Sequence, residues 1–374
     1  MAQMRGHQLP MTENRIDATD PAVPVLDPAP RFAAGFRELV LDGPEGRHLP
    51  CALWYPAAPD SPRGITYDTL IRDGVTATRL HGTASAGARP AAGDAPPLVL
   101  ISHGYPGNRF LMSHLGEALA ARGFAAAAID HPGSTYDAKR DFVETLYFRP
   151  LDQRAAVDAL AASGLHLDAG RLGVIGYSMG GYGALTYGGA GLTGRAAARD
   201  WDGPAFDLSR HVAGTATHEA LRDPRLCAVV AIGPWGRQHD LWSDAALGAM
   251  RAPLLLMAGS ADDTSDYAAM RRIWETAGGT AHLLTFHGAG HNAAAPIPTP
   301  QEALAPSPHL DFLPAEHYAD PLWPNVTMNT IARNAAAAFL ARHLSGEGGL
   351  PDQAWCDRAA TDPLRLTLES RAAR

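Results

Sequence analysis

Residues 171–188 read Arg-Leu-Gly-Val-Ile-Gly-Tyr-Ser-Met-Gly-Gly-Tyr-Gly-Ala-Leu-Thr-Tyr-Gly. The apolar run ending at Ile175 predicts a buried strand, residues 176–180 a tight turn, and residues 181–187 the opening of a helix packed against that strand. A strand, a sharp turn and a helix in this order present a serine side chain at the edge of a sheet. Small residues are needed at 176 and 180 because the turn strains the backbone of Ser178, and a side chain at either position would strike the adjoining strand or helix. Gly-x-Ser-x-Gly alone is a weak signal in a chain with 38 glycines. The flanking strand and helix make Ser178 the candidate nucleophile.

A serine hydroxyl needs a neighbouring imidazole to take its proton, and that imidazole needs a carboxylate on its other nitrogen. Both groups are expected on loops that follow later strands. Residues 253–259, Pro-Leu-Leu-Leu-Met-Ala-Gly, read as a buried strand and lead into Ser260-Ala261-Asp262-Asp263-Thr264. Residues 282–286 read as the next strand and lead into Gly288-Ala289-Gly290-His291-Asn292. Successive side chains on an extended loop point to opposite sides, so only one of the two carboxylates can orient the imidazole. Asp262 is favoured, with Asp263 as its rival; the other aspartate suits a turn or a helix cap. His291, between small residues, is favoured over His287 as the base. In this reading Ser178 attacks, His291 moves the proton and Asp262 holds the imidazole.

The oxyanion produced by that attack needs fixed donors. The backbone N–H of Met179 is one, and the second is expected from the loop after the strand at 97–102, His103-Gly104-Tyr105-Pro106-Gly107. Pro106 has no N–H, which makes Tyr105 the second donor. His103, at the strand end, is read as a structural hydrogen-bonding residue. Trp235 follows a strand directly and is a candidate substrate-binding residue by the same edge argument.

Strand and helix signals alternate from about residue 36 to 345. They order as a mostly parallel α/β sheet with helices on both faces and one domain over residues 31–374. The coarse reading places a hairpin over 36–55, a helix over 151–162 and a closing helix over 328–343. Residues 1–30 are expected to be a loosely ordered, flexible arm. Residues 190–224 are expected to form a small cap or a surface excursion, and 346–374 a C-terminal extension. The proline-rich stretch 293–327, with Phe312, Tyr318 and Trp323, begins at the candidate base and is expected to wall the pocket.

The N-terminal stretch has no apolar run of the signal-peptide kind, and no stretch approaches the about 20 apolar residues of a membrane span. Cys51, Cys227 and Cys356 give neither a disulfide framework nor a metal motif and fit a reducing cytoplasm. A net charge of −8 without a basic stripe argues against nucleic acid as a partner. Neither His239-Asp240 nor His317 with Asp320 has metal-ligand spacing, and both read as solvated surface. No metal and no organic cofactor is expected.

The chain resembles the α/β-hydrolase superfamily, and within it the dienelactone-hydrolase-like and platelet-activating-factor-acetylhydrolase-like branch. The resemblance covers roughly residues 35–345. It rests on Leu-Trp-Tyr-Pro (53–56), Ser-His-Gly-Tyr (102–105), Asp-His-Pro-Gly (130–133), Gly-Tyr-Ser-Met-Gly-Gly (176–181), Gly-Ser-Ala-Asp (259–262) and Gly-Ala-Gly-His-Asn (288–292). Relatives often carry Pro-Tyr after the acid loop. Here Asp266-Tyr267 stands at that spacing from Asp262, which favours Asp262 over Asp263. Dienelactone hydrolases proper use cysteine where this chain has Ser178, so their substrate is not carried over. The Ser-Met pair and the aromatic oxyanion residue are also similar to those of bacterial cutinases and polyester hydrolases.

These readings imply a serine carboxylic-ester hydrolase, carboxylesterase-like, acting through an acyl-enzyme on neutral short- or medium-chain or aromatic small-molecule esters. The same groups would serve an amide, lactone or polyester hydrolase, or an acyltransferase. The reading from a different class is a noncatalytic ligand-binding protein of the same fold, which the presence of both nucleophile and base disfavours.

Overall fold

The computed structural model describes residues 14–201, 203 and 206–374. In chain order its strands are β1 (Ala33–Asp42), β2 (His48–Ala57), β3 (Ile65–Leu70), β4 (Ala77–Gly82), β5 (Ser85–Ala86), β6 (Pro97–Ser102), β7 (Ala125–Ile129), β8 (Asp168–Tyr177), β9 (Leu226–Ile232), β10 (Leu254–Gly259), β11 (Ala281–Phe286) and β12 (Leu366–Arg371). The helices are α1 (Ser113–Ala120), α2 (Phe142–Ala162), α3 (Met179–Tyr187), α4 (Gly194–Ala197), α5 (Ala216–Leu221), α6 (Asp244–Gly248), α7 (Tyr267–Thr276), α8 (Asn325–Leu344) and α9 (Gln353–Ala359).

Ten strands form one sheet in the order β12-β11-β10-β9-β8-β6-β7-β2-β1-β5, while β3 and β4 pair as a separate ribbon. The central run from β11 to β7 is parallel, and β12 and β2 join it antiparallel. Strands covered on both faces read as unbroken apolar runs, and their alternate residues feed two cores. Val99, Ile101, Leu255 and Met257 pack with α1 and α8. Leu98, Leu100, Leu254 and Leu256 pack with α2, α3 and α7. Four successive alanines make up most of β7, a composition with little strand preference. They are extended because both neighbours pair with them: Ala126 lies opposite Trp54 of β2, and Ala127 lies opposite Leu53 of β2 and Leu100 of β6.

Residues 14–30 depart from the expected loose arm; residues 1–13 lie outside the described residues. The Ile16 side chain is buried in the first core, and its N–H donates to the His81 carbonyl at 2.9 Å. The guanidinium of Arg333, on α8, donates to the carbonyls of Ile16, Asp17 and Ala18. The Trp355 indole donates to the Pro24 carbonyl at 2.9 Å. Composition suggested disorder because the strap contributes few apolar side chains, yet its carbonyls are captured by polar groups of distant helices. The C-terminal stretch is not an appendage either: β12 pairs with β11 along its whole length, Leu366 opposite Phe286 and Arg371 opposite Ala281.

Helix α2 begins at Phe142, ahead of the expected start near Leu151, and runs through Pro150. Proline lacks the N–H that would bond the carbonyl of Leu146 four residues back. The Tyr182 hydroxyl, from α3, donates to that carbonyl at 2.8 Å. Its ring is fully buried and stacks on Trp242, with centroids 5.8 Å apart. One phenol therefore repairs the proline defect and ties α2 to the helix that follows Ser178. Tyr182→Phe keeps the ring and leaves the carbonyl unsatisfied. We expect it to lower unfolding free energy by about 1–3 kcal/mol in urea titration, and a loss below 0.5 kcal/mol would mean that water replaces the hydroxyl.

Candidate active site

Ser178, Asp262 and His291 stand on loops that leave β8, β10 and β11 at the same edge of the sheet. The Ser178 hydroxyl lies 2.9 Å from His291 Nε2, and His291 Nδ1 lies 2.9 Å from Asp262 Oδ2. With Nδ1–H donating to the carboxylate, Nε2 is left to accept the serine proton. Asp262 is buried, and its second oxygen accepts the N–H groups of Thr264 and Ser265, each at 2.9 Å. Asp263 is exposed and makes no contact with the imidazole among the described residues. His287 points away, to the Thr367 hydroxyl of β12 at 2.9 Å. Asp266 caps α7 by accepting the Ala269 N–H.

The backbone of Ser178 sits at φ 53°, ψ −113°, a region that a non-glycine residue occupies at a cost of about 1–3 kcal/mol. Three backbone hydrogen bonds hold it there. Its N–H donates to the Ile232 carbonyl at 2.9 Å, and its carbonyl accepts from Tyr182 at 3.0 Å and Trp235 at 3.1 Å. A methyl at Gly176 would lie 2.2 Å from the Gly180 carbonyl oxygen, and one at Gly180 would lie 2.0 Å from the Ser102 carbonyl oxygen. Both positions are closed to any side chain.

Met179 is the first residue of α3, so its N–H is one of the donors a helix leaves unpaired at its N-terminus. Tyr105 lies in the loop after β6, and that loop is gripped from inside by Arg149 of α2. The guanidinium donates to the carbonyls of His103 and Gly104 and to the Ser134 hydroxyl. His103 adds a bond from Nδ1 to the Gly104 carbonyl at 2.7 Å, while its Nε2 accepts the His131 N–H at 3.2 Å. The Gly104–Tyr105 peptide is trans, so anchoring its carbonyl turns the Tyr105 N–H the opposite way, away from Arg149. Burial draws the Arg149 pKa down to about 9 and holds His103 well below the usual histidine value. Sequence reading missed Arg149, because nothing in its neighbourhood marks one arginine of a helix as buried.

Beneath this loop runs a second Ser, His and Asp series. The Ser102 hydroxyl is 2.8 Å from His131 Nε2, and His131 Nδ1 is 3.0 Å from Asp152, which Arg47 also pairs at 3.1 Å. All three residues are buried and none borders the cavity. Burial keeps His131 neutral and raises the Asp152 pKa to about 7.

Ser178 and His291 open into a cavity of about 890 Å³, whose wall also includes Tyr105, Phe142, Met179 and Trp235. The Trp235 ring meets Phe142 edge-on at 5.1 Å, and Trp201, from the stretch 190–224, backs both rings at 6.0–6.1 Å. Residues from Phe312 to Pro321 form the opposite wall. Asn292 fastens that wall to the site: it accepts from the Tyr177 hydroxyl at 3.1 Å and donates to the carbonyls of Glu316 and Ala319 at 2.7 Å. His317 belongs to this wall and accepts or donates a bond with the Tyr136 hydroxyl at 2.8 Å, in place of the solvated position expected for it. Among the described residues no group of three or more His, Cys, Asp or Glu could hold a metal ion, and no helix is long and apolar enough to cross a membrane.

A family profile described as the alpha/beta hydrolase fold matches residues 97–190, the part of the chain from β6 to the end of the helix after Ser178. No curated protein sequence matches the chain. Among solved structures, it is similar to a ferulic acid esterase from Streptomyces cinnamoneus. The TM-score is 0.63 and the identity 23%, over 92% of this chain and 98% of that one. The architecture, a large mostly parallel sheet between helical layers with Ser178 at a strained turn after β8, is the α/β-hydrolase fold.

Proposed function

We propose that this chain is a serine hydrolase of carboxylic esters, working through an acyl-enzyme. The observation that carries the reading is the continuous pair of 2.9 Å contacts from Ser178 through His291 to Asp262, at the floor of an open cavity. In the proposed cycle His291 Nε2 takes the Ser178 proton as Oγ attacks the ester carbonyl. Asp262 stabilises the imidazolium, and His291 returns the proton to the departing alkoxide. Water, activated by the same imidazole, then releases the acid. The backbone N–H groups of Met179 and Tyr105 are the proposed oxyanion donors, with Arg149 and His103 positioning the second. Trp235 and Phe142 are proposed to pack against an apolar or aromatic part of the substrate, and the cavity is large enough for a short or medium acyl group or an aromatic ring. The similar solved structure, a ferulic acid esterase, supports ester chemistry with an aromatic component.

Three outcomes test the reading with para-nitrophenyl acetate. Ser178→Ala should lower kcat by about 10⁴-fold or more and abolish the pre-steady-state burst of nitrophenol; an undiminished rate refutes the mechanism. Asp262→Asn should lower kcat by roughly 10⁴-fold, whereas Asp263→Asn should stay within about threefold, and the reverse order would exchange their roles. Arg149→Lys keeps the charge and loses the fork that grips two carbonyls. It should lower kcat by about tenfold or more while KM moves by less than about threefold, and a change confined to KM would remove Arg149 from oxyanion positioning.

A further inference from the structure

Between β3 and β4 the ribbon turns through residues 71–76, and its tip reaches the cavity. Arg72 is the side chain it delivers. The tip is built to hold its shape. Asp73 accepts the N–H groups of Val75 and Thr76 and the hydroxyl of Thr76, and reaches across to the Ser307 hydroxyl at 2.8 Å. Asn108 ties the end of β3 to the loop after β6 by donating to the Thr69 hydroxyl at 2.8 Å. Asp73 is thus engaged by the turn and Ser307 and makes no ion pair with Arg72.

The Arg72 guanidinium lies over the Phe312 ring, 5.5 Å from its centroid, and is half-buried in the cavity wall. Among the described residues no carboxylate lies within ion-pair distance of it. Its electrostatic neighbours include the phenols of Tyr136, Tyr318 and Tyr105 and the imidazole of His317. Partial burial pulls its pKa down from the ordinary guanidinium value. The acids that share the cavity are committed elsewhere or exposed. Glu316 accepts the Leu313 N–H, Asp320 accepts those of Gly290, Leu322 and Trp323, and Asp263 is exposed. A half-buried guanidinium with no carboxylate in ion-pair range among the described residues, lining the same cavity as the proposed oxyanion residue Tyr105, is costly unless the ligand supplies the anion.

We propose that Arg72 is a specificity residue and that the preferred substrate is an ester carrying a carboxylate, bound by the Arg72 fork while its ester carbonyl meets Ser178. The proposal rests on the esterase reading above and narrows it. The expectation of a neutral ester came from apolar and aromatic candidates around the sheet edge without a basic cluster, and here one guanidinium in the cavity suffices.

The test compares matched ester pairs that differ only in charge, each corrected for its uncatalysed rate. On the acyl side the pair is para-nitrophenyl para-carboxybenzoate against its para-carbamoyl analogue. On the alcohol side it is para-acetoxybenzoate against para-acetoxybenzamide. The wild type should favour the carboxylate member of one pair in kcat/KM by about tenfold or more, and the preference should weaken as salt is added. Arg72→Gln, or Arg72→Met if the glutamine variant does not fold, should shrink that ratio by about tenfold, with Arg72→Lys in between. Equal rates within both pairs, a preference that survives in the neutral variants, or one that persists unchanged at molar salt would overturn the proposal while leaving the esterase reading intact. A wild type that hydrolyses no member of either pair would overturn the esterase reading itself.

Discussion

The backbone of Ser178 would relax if it were released, and much of the surrounding structure exists to prevent that. Its N–H is spoken for by β9, and its carbonyl by α3 and by Trp235 after β9. The first turn of α3 lies so close to β6 that a methyl group at Gly180 could not be admitted. Because the strain is confined between two central strands of a ten-stranded sheet, its cost of a few kcal/mol is spread over a core with large fully buried side chains on both faces. The hydroxyl therefore stands at a fixed point against which His291, Asp262 and the loop after β6 are placed.

Helix α2 connects that point to the loop after β6. Within two positions it supplies Arg149, which holds two carbonyls of that loop, and Pro150, whose missing bond draws in Tyr182 from α3. The two neighbours act on opposite sides of the site, one under residues 103–104 and one behind the helix that follows Ser178. A shift of α2 would move both together. On the other side, Asn292 couples the position after His291 to the loop wall and to Tyr177, so the candidate base and one wall of the cavity are also a single mechanical unit.

The central strands and the candidate nucleophile, base and acid were legible because each depends on local pattern. Apolar runs of five or six residues mark strands buried on both faces, and a glycine-flanked polar residue after such a run marks a strand-end site. What was not legible depends on distant partners. The strap over residues 14–30 is ordered by Arg333 and Trp355, more than 300 positions away. Helix α2 starts ahead of the expected position and runs through Pro150, and the hydroxyl that makes the proline tolerable comes from another helix. The β3–β4 ribbon, polar and short, gives no signal for the cavity that its tip enters. Arg149 and Arg72 look like surface arginines in sequence, and only the packing around them makes one an internal clamp and the other part of a wall.

The Ser102, His131 and Asp152 series carries a lesson of its own. Its distances match those of Ser178, His291 and Asp262 to within about a tenth of an ångström, yet all three of its residues are buried and none lines the cavity. Hydrogen-bond spacing alone would grant this protein two nucleophiles. What separates them is the backbone: Ser102 is the last residue of an ordinary strand, whereas Ser178 has been pushed out of one. Of the two series only that of Ser178 borders the cavity and carries a strained backbone, and the same three side chains without these features amount to a buried brace.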